Sequence, residues 1–184
     1  YIVCDVDPSS GAIFANNPHD NEFSNHVAFA DFNCTDDRTF TCSRREFLGR
    51  NGQYANPEAF RRRGLSRKGG TGQDPCAVLQ TSVVLEVGEE IEIAFLLGQT
   101  PTREAARELT LRFRNIAVVK ESLKSVIDDW QRLASVIQVK TPEPAMNILM
   151  NQWLFYQTLS CRYWSRTAFY QSGGAYGFRD QLQD

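Results

Sequence analysis

Two aspartates stand four residues apart in the stretch YQSGGAYGFRDQLQD at 170–184. Asp180 and Asp184 would share one face of a helix that begins there. Neighbouring carboxyls can serve acid–base chemistry, because inverting glycoside hydrolysis needs one carboxyl to protonate the leaving oxygen and another to activate water. On the residues alone, the simpler interpretation of Asp180 is favoured, in which its charge stabilises a helix N-terminus.

The glycines and aromatic residues of the same stretch could form a ligand-binding loop. Its three glycines would let the backbone turn tightly and approach a ligand closely. The aromatic faces of its tyrosines and of Phe178 suit sugar rings. The alternative is a connection between two helices whose aromatic side chains pack in a core.

A basic cluster, RRRGLSRK at 61–68, lies inside a long irregular section at about 44–75 that is rich in Gly, Arg and Asn. Connections of this length in a compact domain tend to be functional. The cluster is either a solvated loop or a rim that attracts an anionic or polyhydroxylated ligand. A net charge of −2 with interspersed signs argues against a nucleic acid partner.

Nothing in the sequence has the spacing of a metal site. His19 and His26 stand in NNPHDNEFSNH without other ligands at metal spacing, so we expect turn or surface positions for them. The five cysteines are dispersed and lack a CxxC pair, which favours reduced thiols in the cytoplasm. No apolar run approaches the length of a membrane span. The opening YIVCDVD resembles the middle of a strand, so we expect a piece of a larger protein.

The elements that must position these residues change type near Gly98. Before it, alternation and turn residues predict antiparallel strands in a β-sandwich. The predicted elements are a hairpin YIVCDVD–PSSG–AIFAN, a strand HVAFADF, a β pattern continuing through DRTFTCSRREFLG, and a hairpin VLQTSVVLEV–GEE–IEIAFLLGQ.

After Thr100 the apolar period becomes helical. TREAARELTLRFRN is predicted to be a helix with Pro101 in its first turn and with Ala105, Leu109 and Phe113 on one face. An amphipathic helix follows, with its apolar positions at Leu123, Val126, Ile127, Trp130, Leu133 and Ile137. After a break at TPEP, AMNILMNQWLFYQTLSCRYW is apolar nearly all round and predicts a helix enclosed by others.

The terminal stretch YQSGGAYGFRDQLQD closely resembles the catalytic-acid segment of glycoside hydrolase family 94, the former glycosyltransferase family 36. The resemblance extends to FANNPHDNEFSNHVAFADF, to REFLGRNG with RRRGLSRKGGTGQDPCAVLQ, and to TPEPAMNILMNQWLFYQTLSCRYWSRTAFYQSGG. The family includes cellobiose and chitobiose phosphorylases and cyclic β-1,2-glucan synthases. QLQD and GLSRKGGTGQDPC look most like the cyclic β-1,2-glucan synthase branch.

The resemblance implies an α+β multidomain fragment. The C-terminal part of a β-sandwich with a long sugar-site loop would occupy 1–98, and a helical linker would occupy 99–140. The first helices of an (α/α)6 catalytic barrel would occupy 141–184.

The resemblance also implies residue roles. Asp180 would be the general acid, with Phe178 and Arg179 shaping the nonreducing-end sugar subsite, while Arg67 and Asp74 would hold the hydroxyls of that sugar. Charged hydrogen bonds of this kind fix orientation. For Asp184, a structural role in the helix is favoured over one in holding Arg179 or a sugar hydroxyl.

The function implied is inverting phosphorolysis or glycosyl transfer on β-linked glucans, most simply β-1,2-glucan. Inorganic phosphate is the nucleophile and co-substrate, and no cofactor is needed. The alternative is a non-catalytic carbohydrate-binding β-sandwich. A hydrolase using both Asp180 and Asp184 is disfavoured, because their helical spacing puts both carboxyls on one side of the sugar.

The partners expected are a β-glucan oligosaccharide, phosphate and the rest of the parent polypeptide. We expect a cytoplasmic location, with an inner-membrane anchor on the parent left open, and no turnover by the isolated fragment. The helix at 144–164 would lack its barrel neighbours, so self-association through it is also expected.

Overall fold

A computed structural model describes residues 1–164, except the side chains of 161–163. The chain divides into two compact units, one over Tyr1–Glu121 and one over Ser122–Asp184. Antiparallel sheets fill most of the first unit, and the described residues of the second unit are mainly helical, as the sequence predicts for an α+β protein.

The first hairpin joins β1 (Val3–Val6) to β2 (Ile13–Asn16), confirming the prediction. Its turn closes where the Gly11 N–H donates to the Asp7 carbonyl at 2.7 Å. The Asp7 carboxylate also accepts from the Ser10 N–H at 2.9 Å and from its hydroxyl at 2.7 Å. Side-chain bonds of this kind are why Asp and Ser are common in turns, whereas Gly11 suits this turn through its φ of 71°.

Two further strands complete a four-stranded antiparallel sheet. The predicted strand HVAFADF forms β3 (Val27–Phe32), which pairs with β2 on one side. A later strand, β6 (Phe95–Thr100), pairs with the other side of β3. The order β1-β2-β3-β6 therefore leaves β6 at an edge of this sheet.

A second sheet consists of β4 (Thr39–Ser43) and β5 (Pro75–Gln80), with an irregularity between Thr41 and Ser43. Cys4, Ile13 and Cys42 are buried between the sheets and packed by Phe40 and Leu79. Burying a side chain of the size of Ile13 contributes about 1.5–3 kcal/mol. The sheets thus form a sandwich, with a cavity of about 530 Å³ remaining open beside Phe47 and Phe95.

The prediction of a strand through DRTFTCSRREFLG is correct only for its first half. The chain leaves β4 at Ser43 and forms a short helix, α1 (Arg44–Leu48), whose first turn is capped by the Ser43 hydroxyl. The cap accepts from the Glu46 N–H at 3.4 Å. A serine directly before a helix-forming Arg-Arg-Glu run is a typical N-cap, and this local signal outweighs the alternation.

The predicted hairpin between VLQTSVVLEV and IEIAFLLGQ is wrong. Its tight turn exists, since the Glu89 N–H donates to the Glu86 carbonyl at 3.0 Å. The two strands belong to different sheets, however, because β5 pairs with β4 and β6 pairs with β3. The connection at 81–94 carries no regular pairing. Pairing with strands distant in sequence therefore overrides a strong local hairpin pattern.

The predicted helix after Thr100 forms as α2 (Arg103–Phe113), with Thr102 as its N-cap, so Pro101 precedes the helix instead of lying in its first turn. Ala106 and Thr110 are its buried residues, and the predicted Leu109 packs against the same core, so the packed face includes Leu109 but is rotated away from Ala105 and Phe113. Ala106 packs with Phe14, Val27 and Phe29 on the sheet face opposite the sandwich core.

Three arginines of and beside α2 explain that rotation. Arg103 donates a hydrogen bond to the Asp5 carboxylate at 3.0 Å. Arg107 donates two to the Asp7 carboxylate, at 2.6 and 3.0 Å. Arg114 binds Asp31 at 2.8 Å. These ion pairs connect the helix to the sheet. The face of α2 that meets the sheet therefore has Ala106 at its centre and arginines along its edges.

The next helix, α3 (Ile116–Ala134), begins in the first unit and continues into the second, which also contains α4 (Pro144–Ile148) and α5 (Leu154–Gln157). Wider helical turns, Leu149–Trp153 and Thr158–Trp164, follow α4 and α5. The predicted amphipathic helix is confirmed, except that it ends before Ile137. Two asparagines hold the extended segment before α4: Asn151 bonds both backbone groups of Val139, and Asn147 those of Thr141.

An aromatic cluster joins α3 to the later helical turns. The Trp130 ring lies 5.1 Å from that of Tyr156 and 5.3 Å from that of Trp164, while Trp153 stacks on Tyr156 at 6.0 Å. Aromatic pairs at such separations contribute about 0.5–1.5 kcal/mol beyond area burial. Between residues 1 and 164, no helix combines the length and apolar character that crossing a membrane requires.

Candidate functional site

The RRRGLSRKGG segment is built into the sandwich instead of lying free on its surface. The Cys42 N–H donates to the Lys68 carbonyl at 2.9 Å, which places Lys68 beside β4. Two residues later, the Gly70 N–H donates to the Cys4 carbonyl at 2.6 Å, which places Gly70 beside β1. The loop therefore bridges the two sheets through its backbone, while the side chains of Ser66, Arg67 and Lys68 are exposed, so both alternatives for the cluster stay open.

Gly69 makes this bridge possible. A Cβ atom at this position would lie 3.2 Å from the Cys4 carbonyl oxygen, 3.3 Å from the Asp5 Cα and 3.5 Å from the Cys42 sulfur. The thiol of Cys42 is itself buried, and its burial raises its pKa to about 12. A neutral, compact group thus backs the loop where it enters the sandwich.

Arg67 stands on this loop in a backbone conformation that L-residues rarely adopt, with φ at 58°. The left-handed region costs a non-glycine residue about 1–2 kcal/mol, so it persists only where neighbouring contacts enforce it. Here the Arg67 N–H donates to the Phe40 carbonyl at 2.9 Å. The guanidinium is exposed and makes a long contact of 3.4 Å to the Arg38 carbonyl.

Asp74 ends the same loop, directly before β5. Its carbonyl accepts from the Arg44 N–H at 2.9 Å, and its carboxylate lies 3.7 Å from the Arg44 guanidinium. Both side chains of this pair are about half exposed, so the ion pair leaves the carboxylate free to accept other hydrogen bonds. The structure therefore presents Arg67 and Asp74 at the two ends of one anchored loop.

A carboxylate that the sequence analysis did not identify binds this loop at Ser66, directly before Arg67. Glu46 in α1 accepts from the Ser66 N–H at 2.8 Å, from the Ser66 hydroxyl, and from the Thr41 hydroxyl at 2.7 Å. Burial raises the pKa of Glu46, but hydrogen bonds from Ser66 and Thr41 and the charge of Arg62 outweigh it and hold the pKa below its usual range. Glu46 and Ser66 are twenty residues apart, so no local pattern reveals their contact.

The other predicted site residues, Phe178, Arg179, Asp180 and Asp184, lie outside the described residues. Their roles stay predictions. In the described part of the chain, no group of three or more His, Cys, Asp or Glu side chains has the arrangement of a metal site. His19 contacts the Tyr1 ring, and His26 contacts Phe23 and Gln99.

Two domain profiles of one enzyme family match the chain in succession. The supersandwich domain of glycosyl hydrolase 94 matches residues 1–116, and the catalytic domain of the glycosyl hydrolase 94 superfamily matches residues 129–184. The chain belongs to the glycosyl hydrolase 94 family. The resemblance inferred from the sequence is thereby confirmed, as is the fold class of antiparallel sheets followed by helices.

The chain is similar to enzymes with several different activities. The chain is 37% identical, over its whole length, to the cyclic beta-(1,2)-glucan synthase NdvB of Rhizobium meliloti (strain 1021). It is 31% identical over 81% of its length to the N,N'-diacetylchitobiose phosphorylase of Vibrio proteolyticus. It is 29% identical over its whole length to the solabiose phosphorylase of Paenibacillus borealis.

These relatives are much longer than the chain. The matched region spans 6% of the glucan synthase, 19% of the chitobiose phosphorylase and 23% of the solabiose phosphorylase. This glycosyl hydrolase 94 chain thus spans less than a quarter of the length of each of these relatives.

Proposed function

We propose that the parent protein is an inverting glycoside phosphorylase or glycosyl-transfer enzyme acting on β-linked glucan, and that this chain supplies its general acid and part of its donor-sugar site. The observation that carries the proposal is the match to a sandwich and a catalytic domain of one glycosidase family, in that order. The 37% identity to a cyclic beta-(1,2)-glucan synthase, which extends over the whole of this chain, supports β-1,2-glucan as the substrate.

In the proposed reaction, a phosphate oxygen attacks the anomeric carbon of the terminal glucosyl unit as the bond from that carbon to the glycosidic oxygen breaks. The carboxyl of Asp180 transfers its proton to the departing oxygen. The products are an α-glucose 1-phosphate and a glucan shorter by one unit. Phosphate replaces the activated water of a hydrolase, so a second catalytic carboxylate is unnecessary and Asp184 takes no chemical step.

The sandwich loop has the features that a donor-sugar subsite requires. The Arg67 guanidinium is an exposed, fork-shaped donor, and the Asp74 carboxylate is an exposed acceptor, so together they can satisfy vicinal sugar hydroxyls. The loop is fixed on both sheets, which reduces the ordering cost of binding. Fixing the orientation of the sugar should increase the reaction rate, because a misplaced scissile bond reacts slowly.

The test is product analysis with the full-length parent protein. Linear β-1,2-gluco-oligosaccharides are incubated with and without phosphate, alongside cello-oligosaccharides as a linkage control. We expect α-glucose 1-phosphate only with phosphate and the β-1,2-linked substrate. Phosphate-independent release of glucose would instead support hydrolysis, and binding without any product would support the non-catalytic carbohydrate-binding module.

A further inference from the structure

The short helix α1 contacts both ends of the loop that carries Arg67 and Asp74. At one end, Glu46 binds the Ser66 N–H and hydroxyl, and Ser66 immediately precedes Arg67. At the other end, the Arg44 N–H binds the Asp74 carbonyl. Five residues of helix thus fix two points that are eight residues apart along the loop.

The Glu46 carboxylate is committed entirely to this task. Its side chain is only 11% exposed, and its two oxygens are occupied by Ser66, by Thr41 and, at 3.5 Å, by Arg62. A charged acceptor with backbone and hydroxyl donors makes stronger hydrogen bonds than a neutral one. An amide would keep one carbonyl acceptor, but it removes the negative charge that strengthens these bonds, and its N–H₂ group can bond Ser66 and Thr41 only if their hydroxyls turn to accept.

The strained backbone of Arg67 connects Glu46 to the proposed site. Arg67, with φ at 58°, lies between two anchored residues, Ser66 held by Glu46 and Lys68 held by Cys42, and its own N–H donates to the Phe40 carbonyl. Release of the Ser66 anchor would remove one of the three restraints on this left-handed conformation and so favour relaxation of the Arg67 backbone toward φ below zero. The guanidinium would then leave its position on the loop.

We infer that Glu46 is a positioning residue of the donor-sugar site, acting through Ser66 on the backbone of Arg67. The inference rests on the proposed function, because it assigns Arg67 to a sugar hydroxyl. Glu46 itself touches no substrate. Its loss therefore raises the KM for the glucan by weakening the hold on the donor sugar, and the effect depends on Arg67.

The experiment is a double-mutant cycle in the full-length parent protein, with phosphorolysis followed at varied glucan concentration. For Glu46→Gln we expect a roughly tenfold higher KM for the glucan and a smaller change in kcat. In an Arg67→Ala background, the same change should have little further effect. The control is Glu58→Gln, which removes an exposed pair with Arg61 at 3.7 Å and should leave both constants unchanged.

Folding is monitored by the melting temperature of each variant. If Glu46→Gln lowers the yield of folded protein, Ser66→Ala is used in its place. This change removes the hydroxyl contact with Glu46 and keeps the N–H contact, so we expect a smaller rise in KM. Equal KM values in wild type and variant, or an effect undiminished in Arg67→Ala, would overturn the inference. Absence of phosphate-dependent turnover in the wild type would instead overturn the proposed function on which it rests.

Discussion

Asp7 has two structural roles at the residue scale. Its carboxylate closes the β1–β2 turn through Ser10 and fixes α2 to the sheet through Arg107, and only 1% of its side chain is exposed. The hydrogen bond from Arg107 is the main reason that its pKa lies well below the ordinary value near 3.8, with the Ser10 bonds adding to the effect. The charge is thus stabilised where burial alone would disfavour it.

Asp7→Asn should destabilise the fold by about 1.5–3 kcal/mol at neutral pH, because it breaks a charge-assisted pair and leaves Arg107 with a weaker acceptor. The pKa of Asp7 is lower in the folded state than in the unfolded state. The stabilisation by Asp7 is therefore complete above the unfolded pKa and is lost as pH falls from the unfolded pKa toward the folded one. The stability gap between wild type and variant should therefore be constant above about pH 5 and shrink below about pH 4. Urea titrations at several pH values measure it. A gap independent of pH would contradict this assignment.

The sequence did not reveal these residue-scale pairs. Arg107 meets Asp7 across one hundred residues, and Arg114 meets Asp31 across eighty-three. Arginines on a helix and aspartates on strands are ordinary on a solvated face, so their types alone predict exposure. For the same reason, Arg67 and Asp74 could be predicted as site residues only from the family resemblance. The role of Glu46 became visible only in the structure.

At the scale of elements, strands and helices were predictable where local chemistry and tertiary packing agree. The β1–β2 hairpin has Pro, Ser and Gly at its turn, and α2 has a capping threonine, so both were found from sequence. The β5 and β6 strands were also found, but not their partners. Pairing is decided by which neighbouring strand buries the apolar side chains, and that depends on the whole sandwich.

The loop between the sheets leaves little room for a side chain at Gly69. Gly69→Ala should destabilise the fold by about 1–3 kcal/mol, because a methyl group would press against the Cys4 carbonyl and the Asp5 backbone. Gly64→Ala is the matched control, since a Cβ there meets only Thr39 at 3.5 Å. Its effect should stay within about 1 kcal/mol. Chemical denaturation compares the two, and equal stabilities would show that the loop is not closely packed at Gly69.

At the scale of the whole molecule, the second unit exposes much apolar surface. Trp153, Leu154 and Trp164 are each between 41% and 57% exposed, beyond what scattered surface residues explain. The expectation of self-association through 144–164 thus stays a proposal with a physical basis. The domain boundaries proposed from the sequence also stay predictions.

Sedimentation of the 184-residue chain tests that surface. We expect concentration-dependent association that Leu154→Glu reduces, because a charge in an apolar contact must lose its hydration. Leu111→Glu, on an equally exposed leucine of α2, should leave the association unchanged. A monomer at all concentrations, or equal effects of the two changes, would contradict the assignment of 144–164 as the contact surface.

The general acid is the central claim, and changing Asp180 in the full-length parent tests it directly. With β-1,2-glucan and phosphate, Asp180→Asn should lower kcat by about 10²–10⁴-fold, since the leaving oxygen loses its proton donor. The loss should be much smaller with 2,4-dinitrophenyl β-glucoside, whose leaving group needs no proton, and Asp184→Asn should keep most activity on both. Wild-type rates for Asp180→Asn on the glucan, or equal losses on both substrates, would contradict the account.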